Sequence, residues 1–273
     1  MTINCKGNLI DLSSPKVMGI LNITPDSFYD GGRYKNDKAI LSQTERMLLD
    51  GATFIDLGAN SSRPSAKNIS IDEELNRIVP IVELIIKNFP DSTLSIDTFR
   101  SEIAKHCIEH GAALINDISA GKLDENMIPV VGKLDVPYIM MHMKGTPQTM
   151  QQHTNYKDLI GDIIYYFSER ISVARMHQIK DLIIDPGFGF SKTLKQNYEI
   201  LQSLELLKNL DLPILAGVSR KSMIYNLFKT SAKDALNGTS SINTIALLKG
   251  VKILRVHDVK EAMECVTIYN QLS

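Results

Sequence analysis

Two hydrophobic patterns alternate along this chain: short apolar runs, and longer stretches with apolar residues on one helical face. The short runs predict β-strands and the longer stretches predict helices that cover them. The predicted strands lie at 17–22, 53–57, 94–97, 114–116, 137–141, 182–185, 213–217 and 252–256. The clearest amphipathic stretches lie at 72–88, 159–176, 196–207 and 232–248.

A polar side chain closes most of the apolar runs. These residues are Asn22, Asp56, Asp97, Asn116, Asp185 and Arg255. A polar group at the end of a buried strand costs free energy unless it meets a partner or a ligand. Because the carboxyl ends of parallel strands meet at one edge, these residues predict one shared polar site.

Eight β–α units in succession predict an α/β fold, a closed (β/α)8 TIM barrel in one domain spanning 1–273, with a short N-terminal hairpin within 1–13. An open doubly wound sheet is the alternative. Asp56, Asn116, Asp185 and Arg255 end the even-numbered strands. Layers inside a barrel are built from alternate strands, so this placement favours closure.

Composition and charge bear on the class of protein and on its partners. The 273 residues are 44% hydrophobic and carry a formal net charge of −1, which gives no basic footprint for nucleic acid. Three cysteines lie far apart without a C-x-x-C pair, as expected of reduced thiols. No apolar run reaches the ~18 residues of a membrane span, and the first residues lack a signal-peptide core. We expect a cytoplasmic protein with no membrane partner.

The loop after the first predicted strand carries the most specific motif. Its sequence MGILNITPDSF, at 18–28, closely resembles the opening signature of dihydropteroate synthases. Further segments resemble the family in the same order, at 56–58, 61–64, 95–98, 115–117, 141–147, 185–190, 217–222 and 255–258. One such match is weak, but together they are specific and span nearly the whole chain.

The resemblance implies a reaction. Dihydropteroate synthases join 6-hydroxymethyl-7,8-dihydropterin pyrophosphate to the amine of p-aminobenzoate, giving 7,8-dihydropteroate and pyrophosphate. The resemblance also implies Mg2+ as cofactor, sulfonamide inhibition and a homodimer. The apolar residues Ile242, Ile245, Leu247 and Leu248 would supply the dimer contact, although barrel packing explains them equally well.

The resemblance also implies a role for each residue of this chain that matches the family pattern. For the pterin, the resemblance implies Asp56, Asp97, Asn116, Met140, Asp185 and Lys221. For pyrophosphate it implies Asn22, Arg63, Arg255 and His257, with Asn22 as the metal ligand. For p-aminobenzoate it implies Phe28, Ser62, Arg63, Pro64, Phe190, Ser219, Lys221 and Ser222. The catalytic residues would be Asp97, Lys221, Arg255 and His257.

The chemistry of these side chains fits the reaction. Cleavage of a carbon–oxygen bond leaves a pterin-methyl cation, which Asp97 would face, and an anion. Arg255 and His257 are two apart on one strand, so both reach one face and suit pyrophosphate. One amide oxygen, from Asn22, suffices for Mg2+ when pyrophosphate supplies further ligands.

Each role has a structural alternative. Asp97 is also a plausible N-cap for the next helix, and Arg255 a partner of Asp258 or Glu261. Met140 is equally well a core methionine. Lys221 opens a helix, where its charge opposes the helix dipole, and this favours function. We expect His142 to be structural.

The chain departs from the family pattern at four positions. Asn60 replaces Glu, Ser62 replaces Thr, and Ser65 and Ser191 replace Gly. The first three share one loop, so affinity for p-aminobenzoate and sulfonamide sensitivity are the properties in question.

These departures motivate one alternative function, a pterin-binding paralogue that no longer couples its substrates. A methyltetrahydrofolate-dependent corrinoid methyltransferase is a second alternative. A hydrolase with a Ser219–His257–Asp185 triad is the third, although Ser219 lacks the G-x-S-x-G context that exposes a nucleophile.

Overall fold

The computed structural model of this chain describes residues 1–23, 33–60 and 69–272, with the backbone alone at 33–36. An antiparallel hairpin comes first, formed by β1 (Thr2–Cys5) and β2 (Asn8–Asp11). Eight parallel strands follow. They are β3 (Lys16–Asn22), β4 (Phe54–Gly58), β5 (Thr93–Asp97), β6 (Leu114–Asp117), β7 (Tyr138–Met141), β8 (Leu182–Asp185), β9 (Leu215–Ala216) and β10 (Ile253–Val256).

The eight strands close on themselves. Each of β3 to β7 pairs with the next strand in sequence, and β10 pairs with both β3 and β9. A parallel bridge between Ile184 and Ile214 joins β8 to the residue before β9, and this contact completes the ring. The predicted TIM barrel and its hairpin are therefore confirmed, and the open sheet is wrong. All eight strand predictions hold to within a residue or two.

Helices cover the outside of the barrel. They are α1 (Arg33–Leu49), α2 (Ile71–Asn88), α3 (Ser101–Glu109), α4 (Met127–Leu134), α5 (Leu159–Met176), α6 (Leu194–Gln202), α7 (Ser222–Tyr225), α8 (Leu236–Leu248) and α9 (Val259–Tyr269). The predicted helix at 196–207 is split, because α6 ends at Gln202 and a 3-10 helix follows at Leu204–Leu210. None of the described helices is long and apolar enough to cross a membrane.

The capping chemistry explains where two of these helices begin. Ser70 caps α2 by accepting from the backbone N–H of Glu73 at 3.1 Å. Thr193 and Gln196 form a capping box at α6, in which each side chain bonds the other residue's backbone N–H. Both caps satisfy N–H groups that a helix start would otherwise leave unpaired.

The barrel interior has an apolar floor. One side chain from each of seven strands packs there, together with four from the hairpin. The strand residues are Met18, Phe54, Leu114, Ile139, Ile183, Leu215 and Ile253, and the hairpin residues are Ile3, Cys5, Ile10 and Leu12. The hairpin therefore plugs the amino-terminal end of the barrel. Because side chains alternate along a strand, residues two and four positions further on face the interior at its carboxyl end.

Candidate active site

Arg255 on β10 is the centre of the polar layer in the barrel mouth. Its Nε donates to Asp56 Oδ2 and its Nη2 donates to Asp97 Oδ2, each at 2.6 Å. Asn116 Nδ2 donates to the same Asp56 oxygen at 3.0 Å. The structure therefore brings together side chains from β4, β5, β6 and β10. The alternative pairing of Arg255 with Asp258 is wrong, because Asp258 binds Arg220 at 2.8 and 2.9 Å.

The N-cap alternative for Asp97 is also wrong. The N-cap residue of α3 is Arg100, and the first backbone N–H of that helix, at Ser101, donates to Asp124 Oδ2 at 2.7 Å. Asp97 is held by Arg255 instead. Its carboxylate is therefore available at the mouth of the barrel.

Two side chains in this polar layer have an atom that can form a further hydrogen bond. Asp56 is fully buried, and its Oδ1 has no hydrogen-bond partner among the described residues. Arg255 uses Nε and Nη2, and we find no partner for Nη1 within the same part of the chain. A buried polar atom is rarely left unsatisfied, so a polar ligand is expected beside Asp56.

The opposite side of the mouth carries Asp185 and Lys221. Asp185 Oδ1 accepts from the backbone N–H of Gly187 at 2.8 Å. Lys221 is the N-cap residue of α7 rather than part of its first turn, and its Nζ donates to Phe188 O at 2.6 Å. The same ammonium lies 4.9 Å from the centre of the Phe190 ring. A Cβ added at Gly217 would sit 3.9 Å from Lys221 Nζ and from Arg255, so this glycine keeps space open between the two cations.

Burial and charge shift the pKa values of these groups. Burial raises the pKa of Asp97, and the nearby Arg255 opposes that rise. Burial likewise raises the pKa of Asp185, against the charge of Lys221. Burial, with help from the Arg255 charge, lowers the pKa of Lys221 to about 8 even though Asp185 and Asp97 favour its ammonium form. Shifts of this kind are typical of sites that handle charge.

Ser219 and His257 meet at the rim. Ser219 Oγ lies 3.0 Å from His257 Nδ1 and accepts from the His257 backbone N–H at 3.2 Å. His257 is exposed as a residue, while its bonds to Ser219 are partly buried. The triad alternative is not formed, because the described residues include no carboxylate paired with His257 and Asp185 is bound to Gly187.

Met140 does not line the mouth. It is fully buried in the cluster between the sheet and the helices, together with Tyr138. Ile139 belongs to the barrel floor, so strand alternation turns Met141 inward and Met140 outward. Met141 packs beside Ile118, Met143 and Phe190 near the mouth. The structure therefore supports the alternative of a core methionine for Met140, and its prediction as a wall of the pterin pocket is wrong.

Asn22 ends β3 with its side chain at the edge of the mouth. A Cβ added at Gly58, its partner on β4, would lie 3.6 Å from both Asn22 Oδ1 and Asp97 Oδ2. Among the described residues, no group of three or more His, Cys, Asp or Glu side chains could hold a metal. A neutral, exposed amide oxygen fits Mg2+ when the remaining ligands come from phosphate and water.

Several predicted residues cannot be placed. Phe28, Ser62, Arg63, Pro64 and the altered Ser65 lie outside the described residues. Ser222 is exposed as the first residue of α7, and Asn60 is part-buried beyond the end of β4.

Sequence reasoning missed Lys192, which is 4% exposed and whose Nζ contacts three carbonyl oxygens and His142 Nδ1. Its sequence neighbourhood is polar, and nothing in the pattern marks it as buried. His142 is 1% exposed and packs edge-on against Tyr166, as expected of a structural histidine.

Known proteins resemble this chain over its whole length. The model of the family described as "Pterin binding enzyme" matches residues 18–257. The dihydropteroate synthase of Escherichia coli (strain K12) is 39% identical over 270 residues, which cover 98% of this chain and 95% of that protein.

Two solved structures share this fold. The Yersinia pestis dihydropteroate synthase with a sulfonamide drug complex superposes with a TM-score of 0.93 at 41% identity, covering 100% of this chain and 99% of that one. The Xanthomonas albilineans enzyme with 4-aminobenzoic acid gives a TM-score of 0.92 at 34% identity, covering 99% and 97%.

Proposed function

The chain belongs to the pterin-binding enzymes, within the dihydropteroate synthases, and on that premise we propose which residues of its barrel mouth perform each part of the reaction. It is a transferase that condenses 6-hydroxymethyl-7,8-dihydropterin pyrophosphate with p-aminobenzoate, giving 7,8-dihydropteroate and pyrophosphate. The observation that carries the assignment is the Asp56–Arg255–Asp97 bridge, with its unpaired Asp56 oxygen.

The pterin ring binds in the deep part of the mouth. Its amino-pyrimidinone edge offers adjacent N–H donors and a carbonyl acceptor. Asp56 Oδ1 and Asp185 accept from those donors, and Asn116 donates or accepts beside them. Asp56, Asn116 and Asp185 are all buried, so their bonds to the ring are formed away from water. Lys221 reaches the ring across the space that Gly217 leaves open.

Charge separates when the carbon–oxygen bond breaks. The bonding electron pair leaves with pyrophosphate, and positive charge develops on the pterin methylene. Asp97 faces that charge, while Arg255 and His257 bind the departing anion. The free Nη1 of Arg255 and a ring nitrogen of His257 are the donors we assign to it. Arg255 is already fixed by two carboxylates, so little reorganisation is needed.

The amine of p-aminobenzoate then attacks the methylene carbon and loses a proton. We assign its ring to Phe190 and the stem of Lys221, and its carboxylate to Ser219 and Ser222 at the rim. Phe28, Ser62, Arg63 and Pro64 complete this subsite in the proposal. Support comes from the short distance between Lys221 Nζ and the Phe190 ring.

We assign Mg2+ to Asn22 and the pyrophosphate oxygens. Bound there, Mg2+ would supply positive charge that offsets the charge of the leaving group. Because Asn22 offers one neutral oxygen, the enzyme alone binds the ion weakly.

The homodimer and the cytoplasmic location are further proposals. Of the apolar residues on α8, Ile242 and Leu247 are buried, whereas Ile245 and Leu248 are 43% and 56% exposed. Phe228, just after α7, is 57% exposed. These exposed side chains support a self-association surface. The three cysteines are all free, which supports a reducing compartment.

Binding and turnover measured separately test the site. We expect Asp97→Asn to bind dihydropterin pyrophosphate but to release almost no pyrophosphate with p-aminobenzoate present. Asp56→Asn should instead weaken pterin binding itself, because it replaces an acceptor by a donor. If Asp97→Asn keeps most of the wild-type turnover, the role given to Asp97 is wrong.

A further inference from the structure

Two lysines hold the loop after β8 from different directions. This loop, residues 186–191, is called the β8 loop below. Lys221 Nζ binds Phe188 O at 2.6 Å. Lys192 Nζ binds two other carbonyls of the loop, Gly187 O at 2.9 Å and Phe190 O at 2.8 Å. Gly189 O, between them, accepts from Gln151 Nε2 at 3.4 Å. The two ammonium groups therefore hold different carbonyls of the same loop.

The backbone of the loop explains this division. Gly187, Gly189 and Ser191 have φ of 72°, 83° and 48°, all in the left-handed region. Each left-handed residue turns the backbone sharply. Because these residues alternate with ordinary ones, neighbouring carbonyls of the loop point in different directions. Gly187 O also accepts from the Phe190 backbone N–H at 3.1 Å, and Phe190 O also accepts from Ser191 Oγ at 2.8 Å. Lys192 therefore adds a second donor at two points of the loop, where a single donor leaves part of each buried carbonyl's bonding capacity unused.

Lys192 is also tied to the neighbouring loop after β7. Its Nζ lies 3.0 Å from His142 Nδ1 and 3.3 Å from His142 O. Burial lowers the pKa of His142 to about 2, so the ring is neutral and Nδ1 can accept from the ammonium. Lys192 therefore joins the ends of β7 and β8 at one point.

The burial of Lys192 costs free energy, which indicates that the residue has a specific role. No carboxylate forms an ion pair with Lys192 within the described residues. Burying an ammonium without a paired carboxylate is unfavourable, and burial lowers the pKa of Lys192 well below its usual value. Hydrogen bonds to carbonyls and the more distant charge of Asp185 offset that cost in part. With Nζ surrounded by four acceptors and 4% of the residue exposed, Lys192 does not touch a substrate.

We propose that Lys192 is a positioning residue for the amine substrate: it fixes the β8 loop so that the Phe188 carbonyl and the Phe190 ring both meet Lys221. This inference rests on the proposed assignment of Phe190 and Lys221 to the p-aminobenzoate subsite. The pterin pocket depends on the loop less, because Asp56 and Asn116 are held by each other and by Arg255.

The test compares Lys192→Met with the matched control Lys195→Met, which makes the same change at an exposed lysine three residues away. We expect Lys192→Met to raise KM for p-aminobenzoate about tenfold and KM for dihydropterin pyrophosphate by less than about twofold, since charge-assisted bonds to the loop are lost. Lys195→Met should change neither. Equal effects on both KM values, or none on either, would overturn the proposal, because a merely structural lysine gives no such split.

Two further variants keep the result interpretable. If Lys192→Met does not fold, Lys192→Gln is measured instead, since its amide retains two donors, and the same split of KM values decides. Phe190→Ala is measured in parallel. An unchanged KM for p-aminobenzoate in Phe190→Ala would refute the subsite itself. A raised KM there with unchanged values in Lys192→Met would refute the role of Lys192 alone.

Discussion

Arg255 donates to Asp97 across the barrel mouth, Nη2 to Oδ2, at 2.6 Å. The contact joins the eighth barrel strand to the third, and Nε of the same guanidinium also binds Asp56 on the second. The carboxylate that we assign to the developing cation is thus oriented by the side chain that we assign to the departing anion. Both groups are placed before bond cleavage, which is the arrangement that electrostatic catalysis requires.

Removing Arg255 should destabilise the protein as well as inactivate it. Arg255→Met leaves Asp56 and Asp97 without their shared cation, and breaking a buried pair costs ~3 kcal/mol of unfolding free energy. Urea unfolding measures the loss. Asp56→Asn combined with Arg255→Met should recover part of the stability without recovering activity. The exposed pair of Arg46 and Asp50 is the control, and Arg46→Met should cost less than ~0.5 kcal/mol. Full additivity of the two site substitutions would contradict the coupling.

The activity should fall as pH rises through about 8. The pKa of Lys221 is lowered to about 8 by burial, so its ammonium is lost in a range where a free lysine keeps its proton. The dependence of kcat/KM on pH reports this group. Lys221→Arg should remove the alkaline limb, although at a lower rate, because guanidinium does not titrate there. If Lys221→Arg keeps the same fall in kcat/KM at alkaline pH, the ionisation belongs to another group.

Strand periodicity predicted the fold and much of the site. Once eight strands were recognised, the inward positions at their carboxyl ends followed from alternation, and Asp56, Asn116 and Arg255 do meet. The same rule shows why Met140 was misplaced: a one-residue error in register turns a side chain to the opposite face. Lys192 could not be found this way, because its burial depends on two loops that are distant in sequence.

Ser191, which stands where the family has glycine, should tolerate reversion. Its φ of 48° is strained for serine, but its Oγ accepts from the Lys144 N–H at 3.0 Å. The same Oγ donates to Phe190 O at 2.8 Å and lies 3.3 Å from Tyr156 Oη. Ser191→Gly relieves the strain of about 1 kcal/mol but loses these bonds, so the melting temperature should fall only slightly. Ser191→Ala loses the same bonds and keeps the strain, so it should melt at a lower temperature. Equal melting temperatures for the two variants would show that the hydroxyl contributes nothing.

Asn22→Ala should raise the Mg2+ concentration needed for half-maximal activity. The substitution removes the oxygen that we assign to the ion, whereas pyrophosphate still supplies ligands, so saturation by excess Mg2+ should restore much of the rate. Titration of initial rates with Mg2+ gives the constant. Asn8→Ala, in the hairpin at the far end of the barrel, is the control and should behave as wild type. The assignment fails if both variants have the same Mg2+ requirement.

The exposed apolar residues of α8 should hold two copies of the chain together. Changing Ile245 and Leu248 to Glu places charge on that surface, and sedimentation should then show a monomer where the unchanged chain sediments as a dimer. Leu49→Glu adds charge at another apolar residue, 82% exposed, and should leave the dimer intact. A monomeric unchanged chain would refute the proposal directly.

The hairpin closes the amino-terminal end of the barrel, which bears on the route that ligands take. That end is filled by Ile3, Cys5, Ile10 and Leu12. We therefore expect both substrates and both products to pass through the mouth at the carboxyl end of the barrel. Asp56, assigned to the pterin, is fully buried, whereas Ser219, assigned to p-aminobenzoate, contacts the exposed His257. On these assignments, the pterin can exchange only while no p-aminobenzoate is bound nearer the mouth. We therefore expect ordered binding: the pterin binds before p-aminobenzoate, and a new pterin enters only after the joined product has left by the same opening.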